Sequence, residues 1–127
     1  MLKGIGVDII EIQRMQRSIE SFGSRLLERI FTPGEITYCT GKYNAFQHFA
    51  ARFAAKEALS KAMSTGLRGE FSWRDIEVVN DSLGKPTIDL HGHLRQKLAH
   101  LTIMLSISHS DSHVIAFVVM EEQQGNP

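Results

Sequence analysis

The spacing of apolar residues along the chain changes from alternating to helical and back. Residues 2 to 10 read as a buried strand, in which Ile5-Gly6-Val7-Asp8-Ile9-Ile10 is interrupted by one acid. Strand alternation puts Asp8 on the same side as Gly4 and Gly6. Helical periodicity follows from about Ile12 to Phe22, with a short helical stretch from Ser24 to Phe31. Thr32-Pro33-Gly34-Glu35 is a helix start, with Thr as N-cap, Pro in the first turn and Glu at the capping-box position, so a short helix runs to about Thr40. Asn44 with Gln47 opens the longest helix, from about Ala45 to Met63, which Gly66 and Gly69 end.

Beyond it, Ile76-Glu77-Val78-Val79 and Thr87-Ile88-Asp89-Leu90 read as two strands joined by a turn at Asn80 to Gly84. A short helix near Gly92 to Ala99 precedes a second hairpin, Leu101 to Ser108 and Val114 to Met120, turning at Ser110-Asp111-Ser112. Glu121 to Pro127 reads as a frayed tail. Strands paired by hairpins around one long helix predict an α+β fold, an antiparallel sheet packed on that helix with shorter helices beside it. The 127 residues suffice for one domain, spanning 1–127, and are too few for two.

Composition narrows the function classes. Fourteen basic and fourteen acidic residues cancel, so no overall field steers the chain to nucleic acid or an anionic membrane. No stretch approaches the roughly 20 apolar residues of a membrane span, and no secretory signal pattern opens the chain, so a cytoplasmic location is expected. The single cysteine, Cys39, excludes an internal disulfide and a thiolate zinc cluster and reads as a packed thiol. Arg14, Arg17, Arg25 and Arg29 are interleaved with Glu11, Glu20 and Glu28, which by themselves describe a solvated mixed-charge face.

Two acids carry the candidate chemistry. Phe46, Phe49, Ala50 and Phe53 form one apolar stripe of the long helix, and Glu57 continues it one turn later. An unpaired carboxylate on such a face needs a metal, a cationic partner or a proton. Asp8, on its glycine-lined strand, poses the same requirement. Carboxylates without cysteine or histidine partners favour Mg²⁺, which is commonly shared with substrate phosphates. Lys61, one turn after Glu57, is spaced either to pair with that carboxylate or to reach a phosphate, and Arg52, Lys56 and Ser60 flank them. Asp8 tips the choice toward a phosphate site.

Gly4-Ile5-Gly6-Val7-Asp8, followed by Phe53-Ala54-Ala55-Lys56-Glu57-Ala58-Leu59-Ser60-Lys61 in the long helix, resembles the paired signature of the 4'-phosphopantetheinyl transferases. Glu28-Arg29-Ile30-Phe31-Thr32, Gly84-Lys85-Pro86 and Leu105-Ser106-Ile107-Ser108-His109-Ser110 extend the resemblance, which is greatest to the short bacterial members. Val7, Pro33-Gly34 and Ser64-Thr65-Gly66 are modest departures that leave the proposed ligands untouched. The resemblance implies transfer of the phosphopantetheine arm of coenzyme A to a serine of apo acyl carrier protein, releasing adenosine 3',5'-bisphosphate, in fatty acid biosynthesis. The nucleophile then belongs to the partner, and no catalytic Ser or Cys is required.

The same resemblance implies that Asp8 and Glu57 bind Mg²⁺ and that Lys61 neutralises phosphate charge, completing the catalytic set. His109 and Ser110 are implied coenzyme contacts, with Arg52, Lys56, Ser60, Gly84, Lys85 and Pro86 as further candidates. Arg14 and Arg25 become docking residues for the acidic carrier protein, and a homotrimer with active sites between subunits is expected. His91 and His93 mimic a metal pair but read as solvent-facing, and His48, His100 and His113 receive no role. Two rivals remain: a Mg²⁺-dependent phosphate-ester hydrolase, which needs no carrier protein, and a binding module in which Asp8 and Glu57 are structural.

Overall fold

The computed structural model describes residues 1–63 and 71–123. Gly66, Gly69 and residues 124–127, which bear on the expected helix end and tail, lie outside them. In chain order the elements are β1 (Leu2–Glu11), α1 (Ile12–Phe22), α2 (Ser24–Ile30), α3 (Pro33–Thr40) and α4 (Ala45–Ala62). A 3-10 turn at Trp73–Asp75 leads to β2 (Ile76–Asn80), β3 (Pro86–Leu90), α5 (Gly92–Lys97), β4 (Leu101–His109) and β5 (His113–Glu122). The predicted α+β class and both predicted hairpins are present.

The first and last strands pair: β5 lies between β1 and β4 in an antiparallel sheet, and β2–β3 form a separate ribbon. Pairing of β5 with β1 reaches Glu121 and its pairing with β4 reaches Glu122, so Glu121 and Glu122 are strand residues and not the frayed tail expected of them. The side chain of Asn44 makes no capping bond, and α4 starts without it. By contrast, the capping box of α3 forms as predicted, Thr32 Oγ1 accepting from Glu35 N while Thr32 N donates to Glu35 Oε1.

Helix α4 is enclosed on several sides. Its first half packs with Met15, Ile30, Phe31, Cys39 and Val114, its second half with Ile76, Val78, Leu94, Val118 and Met120. Contact with β1 is close because Gly4 and Gly6 face the helix: a Cβ on Gly6 would collide with the carbonyl oxygen of Ala58, and one on Gly4 with that of Ala62. Small residues on both sides let backbone meet backbone. β1 is buried on this face only, contrary to the reading of a wholly buried strand. Its other face exposes Ile5 (62%) and Ile9 (61%) beside Val7, because none of the described elements forms a layer over that side of the sheet.

Enclosure also changes which charge of α4 is most buried. Glu57 is half-buried at an edge, whereas Lys56 is fully buried. Lys56 Nζ donates to Glu35 Oε1 at 2.7 Å, Ile30 O at 2.8 Å and Trp73 O at 3.1 Å. Glu35 Oε2 in turn accepts from Val78 N at 2.9 Å. Burial draws the ammonium below the usual lysine range against the pull of Glu35. Removing one member of such a pair strands the other in the core, at about 3–5 kcal/mol. Lys56→Met should therefore lose about that much in urea denaturation, and adding Glu35→Leu to it should recover part of the loss. Equal stability of Lys56→Met and the parent protein would contradict a core ion pair.

Candidate active site

Asp8, Glu57 and Lys61 meet in one cleft of about 730 Å³ between β1, α1 and α4. Alternation along β1 turns Asp8 toward α4 beside the glycine contact, and Glu57 and Lys61 share a helix face one turn apart. Lys61 does not take Glu57 as its hydrogen-bond partner. Its Nζ donates to Asp8 Oδ1 at 2.9 Å and to Val7 O at 3.2 Å, from a side chain that is 54% exposed. Asp8 Oδ2 is buried and has no hydrogen-bond partner.

Burial raises the Glu57 carboxyl above its usual range, the Asp8 charge raises it further, and Lys61 opposes both. Two carboxylates thus face one ammonium, which bonds only Asp8 of the two, and an acceptor atom is left over. An oxygen-lined, electron-rich position of this kind suits a hard divalent cation, so the donor set fits Mg²⁺. Arg14, Glu11, Ser18 and His113 line the same cleft, with an apolar wall that includes Met15, Leu26, Ile30 and Phe53.

A second constellation lies elsewhere on α4. Arg52 and Glu57 are five residues apart, about 140° around the helix axis. Arg52 is 3% exposed, stacks its guanidinium 4.2 Å from the centre of the Tyr38 ring and donates to Asn80 Oδ1 at 2.7 Å, while its Nε has no partner. Lys42 sits over the same ring at 4.9 Å, and His48 packs edge-on against it at 5.5 Å. Burial lowers the His48 pKa, and the positive neighbours Arg52, Lys42 and His109 lower it further. Among the described residues neither Lys42 nor Arg52 forms an ion pair with an acid. Two cations, Lys42 and Arg52, gathered at one ring without a carboxylate partner among the described residues, with His48 beside them, form an anion-attracting region.

The other predicted contacts divide between these places and neither. Asn80 Nδ2 donates to Gly84 O at 3.0 Å, tying the Gly84-Lys85-Pro86 turn to the residue that receives Arg52. Gly84 adopts φ 86°, which favours glycine, and Lys85 N donates to Asp81 Oδ1. His109 ends β4 exposed, while Ser110 Oγ accepts from Ser112 N and His113 N and so helps to build the hairpin turn. Lys56 is not available as a coenzyme contact, since its ammonium is held in the core by three oxygens. Ser60 is half-buried outside the cleft lining, and Arg25 is exposed on α2.

Sequence reasoning missed Lys42 and His48. His48 and Arg52 have the i,i+4 spacing that puts side chains on one face of α4, which is the available signal, while Lys42 lies beyond the end of α3 and carries none. It also missed His91: its Nε2 lies 2.8 Å from Glu77 Oε1, so its partner is that acid and not His93. Cys39 is buried, which pushes its thiol up to about 12, as suits a packed and unreactive residue.

Residues 4–118 match the profile of the 4'-phosphopantetheinyl transferase superfamily. A holo-acyl-carrier-protein synthase of Geotalea daltonii is 48% identical over 125 residues, covering 96% of this chain and 100% of the relative. That of Geobacter sulfurreducens is 47% identical over 124 residues, with 95% and 98% covered. Among solved structures, the synthase of Neisseria meningitidis superposes with a TM-score of 0.88 at 38% identity, covering 96% of this chain and all (100%) of that one. The Bacillus anthracis synthase, in complex with CoA (3',5'-ADP), gives 0.81 at 39% identity, covering 97% and 99%.

In the absence of divalent cations, the raised Glu57 carboxyl binds its proton more tightly in the folded than in the unfolded chain. Stability from the protonated form is therefore lost as pH rises from the usual glutamate value of 4.5 through the raised one. In EDTA, the melting temperature of the parent protein should fall relative to Glu57→Gln across that window. Parallel curves for the two proteins would argue against a crowded acid pair.

Proposed function

The chain belongs to the 4'-phosphopantetheinyl transferase superfamily, among its holo-acyl-carrier-protein synthases, and we propose that the Asp8–Glu57–Lys61 cleft is where it performs a Mg²⁺-dependent transfer. The co-substrate is coenzyme A and the acceptor a serine of apo acyl carrier protein. The serine oxygen forms a bond to the phosphorus that bears pantetheine, the P–O bond of the diphosphate breaks, and adenosine 3',5'-bisphosphate leaves. The observation that carries this reading is the buried, unpartnered Asp8 Oδ2 beside a carboxyl of raised pKa.

Asp8 and Glu57 would hold Mg²⁺, which when bound supplies positive charge to the diphosphate oxygens. Lys61, largely exposed, moves from Asp8 to the phosphates as they enter. The serine proton leaves by way of water to a carboxylate of the acid pair. Arg52 and Lys42 contribute to coenzyme binding through positive charge without an acidic partner among the described residues, and His109 and the neutral His48 through hydrogen bonding. The Gly84-Lys85-Pro86 turn adds contacts beside Arg52, and Ser110 supports His109. Arg14, in the cleft, and Arg25, on the exposed side of α2, meet the acidic carrier. The product supplies fatty acid biosynthesis, and the whole chain acts as a single cytoplasmic domain. No described helix is long and apolar enough to cross a membrane.

Mass spectrometry of apo acyl carrier protein after incubation with the protein, coenzyme A and Mg²⁺ should reveal a phosphopantetheine-sized gain. EDTA should abolish it, and Glu57→Gln should slow it by about 100-fold or more. Arg14→Glu should raise the carrier concentration needed for half-maximal rate, with little change at saturation. Release of the bisphosphate without carrier protein would instead identify a hydrolase, and a full rate in Glu57→Gln would exclude the acid pair as ligands.

The functional unit we propose is a homotrimer. Supporting it, Ile5, Val7, Ile9, Ile115 and Phe117 form an apolar patch on the uncovered sheet face, of a kind that marks an interaction surface. Anion-attracting cluster and acidic cleft lie on different faces of α4, so a neighbouring copy is suited to join them. Ile9→Lys should lower the mass in solution from three chains to one and lose activity together with assembly. A monomeric parent protein with full activity would overturn the trimer.

A further inference from the structure

Away from both constellations, the β2–β3 ribbon holds a group of side chains that the proposed transfer does not use. Glu77 and Asp89 stand directly opposite each other across the ladder, and His91 follows the end of β3. One ligand atom from each of the three lies within 4.8 Å of the others. Like charges placed directly across a ladder destabilise it, and a cation between them removes the repulsion.

The group is held in place by its surroundings. Thr32 Oγ1 donates to Glu77 Oε2 at 2.7 Å, which leaves Oε1 to meet His91 Nε2 at 2.8 Å. The backbone of His91 is anchored by its N–H to Asp75 O at 2.8 Å. Although burial pushes the Glu77 carboxyl up, hydrogen bonds from Thr32 and His91 and the charges of His91 and Lys56 outweigh it and keep Glu77 ionised. Asp89 and His91 also line a cavity of about 480 Å³ between β3, α5 and β4, with Arg95 among its other polar residues.

We propose that Glu77, Asp89 and His91 form a second metal site, separate from the Asp8–Glu57 pair and suited to Zn²⁺ or a similar transition-metal ion. An imidazole nitrogen with two carboxylate oxygens is a borderline donor set that favours such ions, whereas Mg²⁺ prefers oxygen alone. Donor atoms around a tetrahedral zinc stand roughly 3.3 Å apart, so the 2.8 Å His91–Glu77 contact must open and the Asp89 carboxylate, whose ligand atom lies within 4.8 Å of both, must adjust to bind it. The ion takes the place of the proton shared by His91 and Glu77, and the cavity side admits water as the remaining ligand. Its effect is structural: it clamps the ribbon and the start of α5 to the N-cap of α3 through Glu77 and Thr32. This inference does not rest on the transferase reading.

Calorimetric titration with Zn²⁺ alone tests it, using the full chain and a Glu57→Gln background in which the cleft is disabled. One Zn²⁺ should bind in both, with the same affinity. His91→Gln, which can still hydrogen-bond to Glu77, should weaken that binding by at least about tenfold, as should Asp89→Asn. Both variants should keep their Mg²⁺-supported activity, and their zinc-induced rise in melting temperature should shrink. Zinc affinity unchanged by either substitution, or lost on Glu57→Gln alone, would overturn the site.

Discussion

The ion pair between Lys56 and Glu35 fixes the rotation of α4, and much of the molecule takes its position from that helix. Four elements converge on it: the end of α2 through Ile30 O, the capping box of α3 through Glu35, the 3-10 turn through Trp73 O and β2 through Val78 N. An ammonium with three oxygen acceptors cannot turn without leaving a buried donor unpaired. With Lys56 aimed at α2 and α3, its neighbour Glu57 points about 100° away, into the cleft beside β1. A core interaction therefore aims the candidate catalytic carboxylate without touching it.

The second acid arrives by a different constraint. β1 can bring Asp8 to the helix only if the backbones nearly touch, and Gly4 and Gly6 opposite the carbonyls of Ala62 and Ala58 permit that approach. The resulting crowding is visible in Glu57, raised by burial and by Asp8, and in the unpartnered Asp8 Oδ2. The pair is poorly satisfied by the chain itself. Fold stability is spent at this point to hold two carboxylates together, as expected of a site prepared for a cation.

Local signals in the sequence were read well, and long-range ones less so. Capping residues and alternation are encoded within a few positions, so the α3 start, both hairpins and the inward face of Asp8 were legible. Pairing of β1 with β5 joins residues more than a hundred positions apart and left no local trace. The Glu57 signal overstates the extent of burial, because periodicity assumes one apolar face and α4 has several. The resemblance made Lys56 a candidate coenzyme contact, whereas Glu35, read only as a capping residue, holds it in the core. In the candidate site, Asp8, Glu57 and Lys61 of the two motifs line one cleft, with Arg14, read as a docking residue, in the same lining, while the grouping of Lys42 and His48 depends on the Tyr38 ring, which no spacing rule identifies as a hub.

A formal net charge of zero conceals a strong separation of charge. Acids gather where β1 meets α4, and unpaired bases gather around Tyr38, on a different side of the same helix. Neither group neutralises the other, since α4 stands between them, and each retains a cost that only an external partner relieves. A ligand carrying phosphates at both ends, with a cation at one of them, has the complementary pattern. A single copy of the chain turns its two binding surfaces away from each other, and the uncovered apolar face of the sheet supplies a means of setting one copy's bases against another's acids. In the proposed trimer, assembly would convert two half-satisfied surfaces into one site, and the proposed dependence of activity on it would follow from electrostatics as much as from shape.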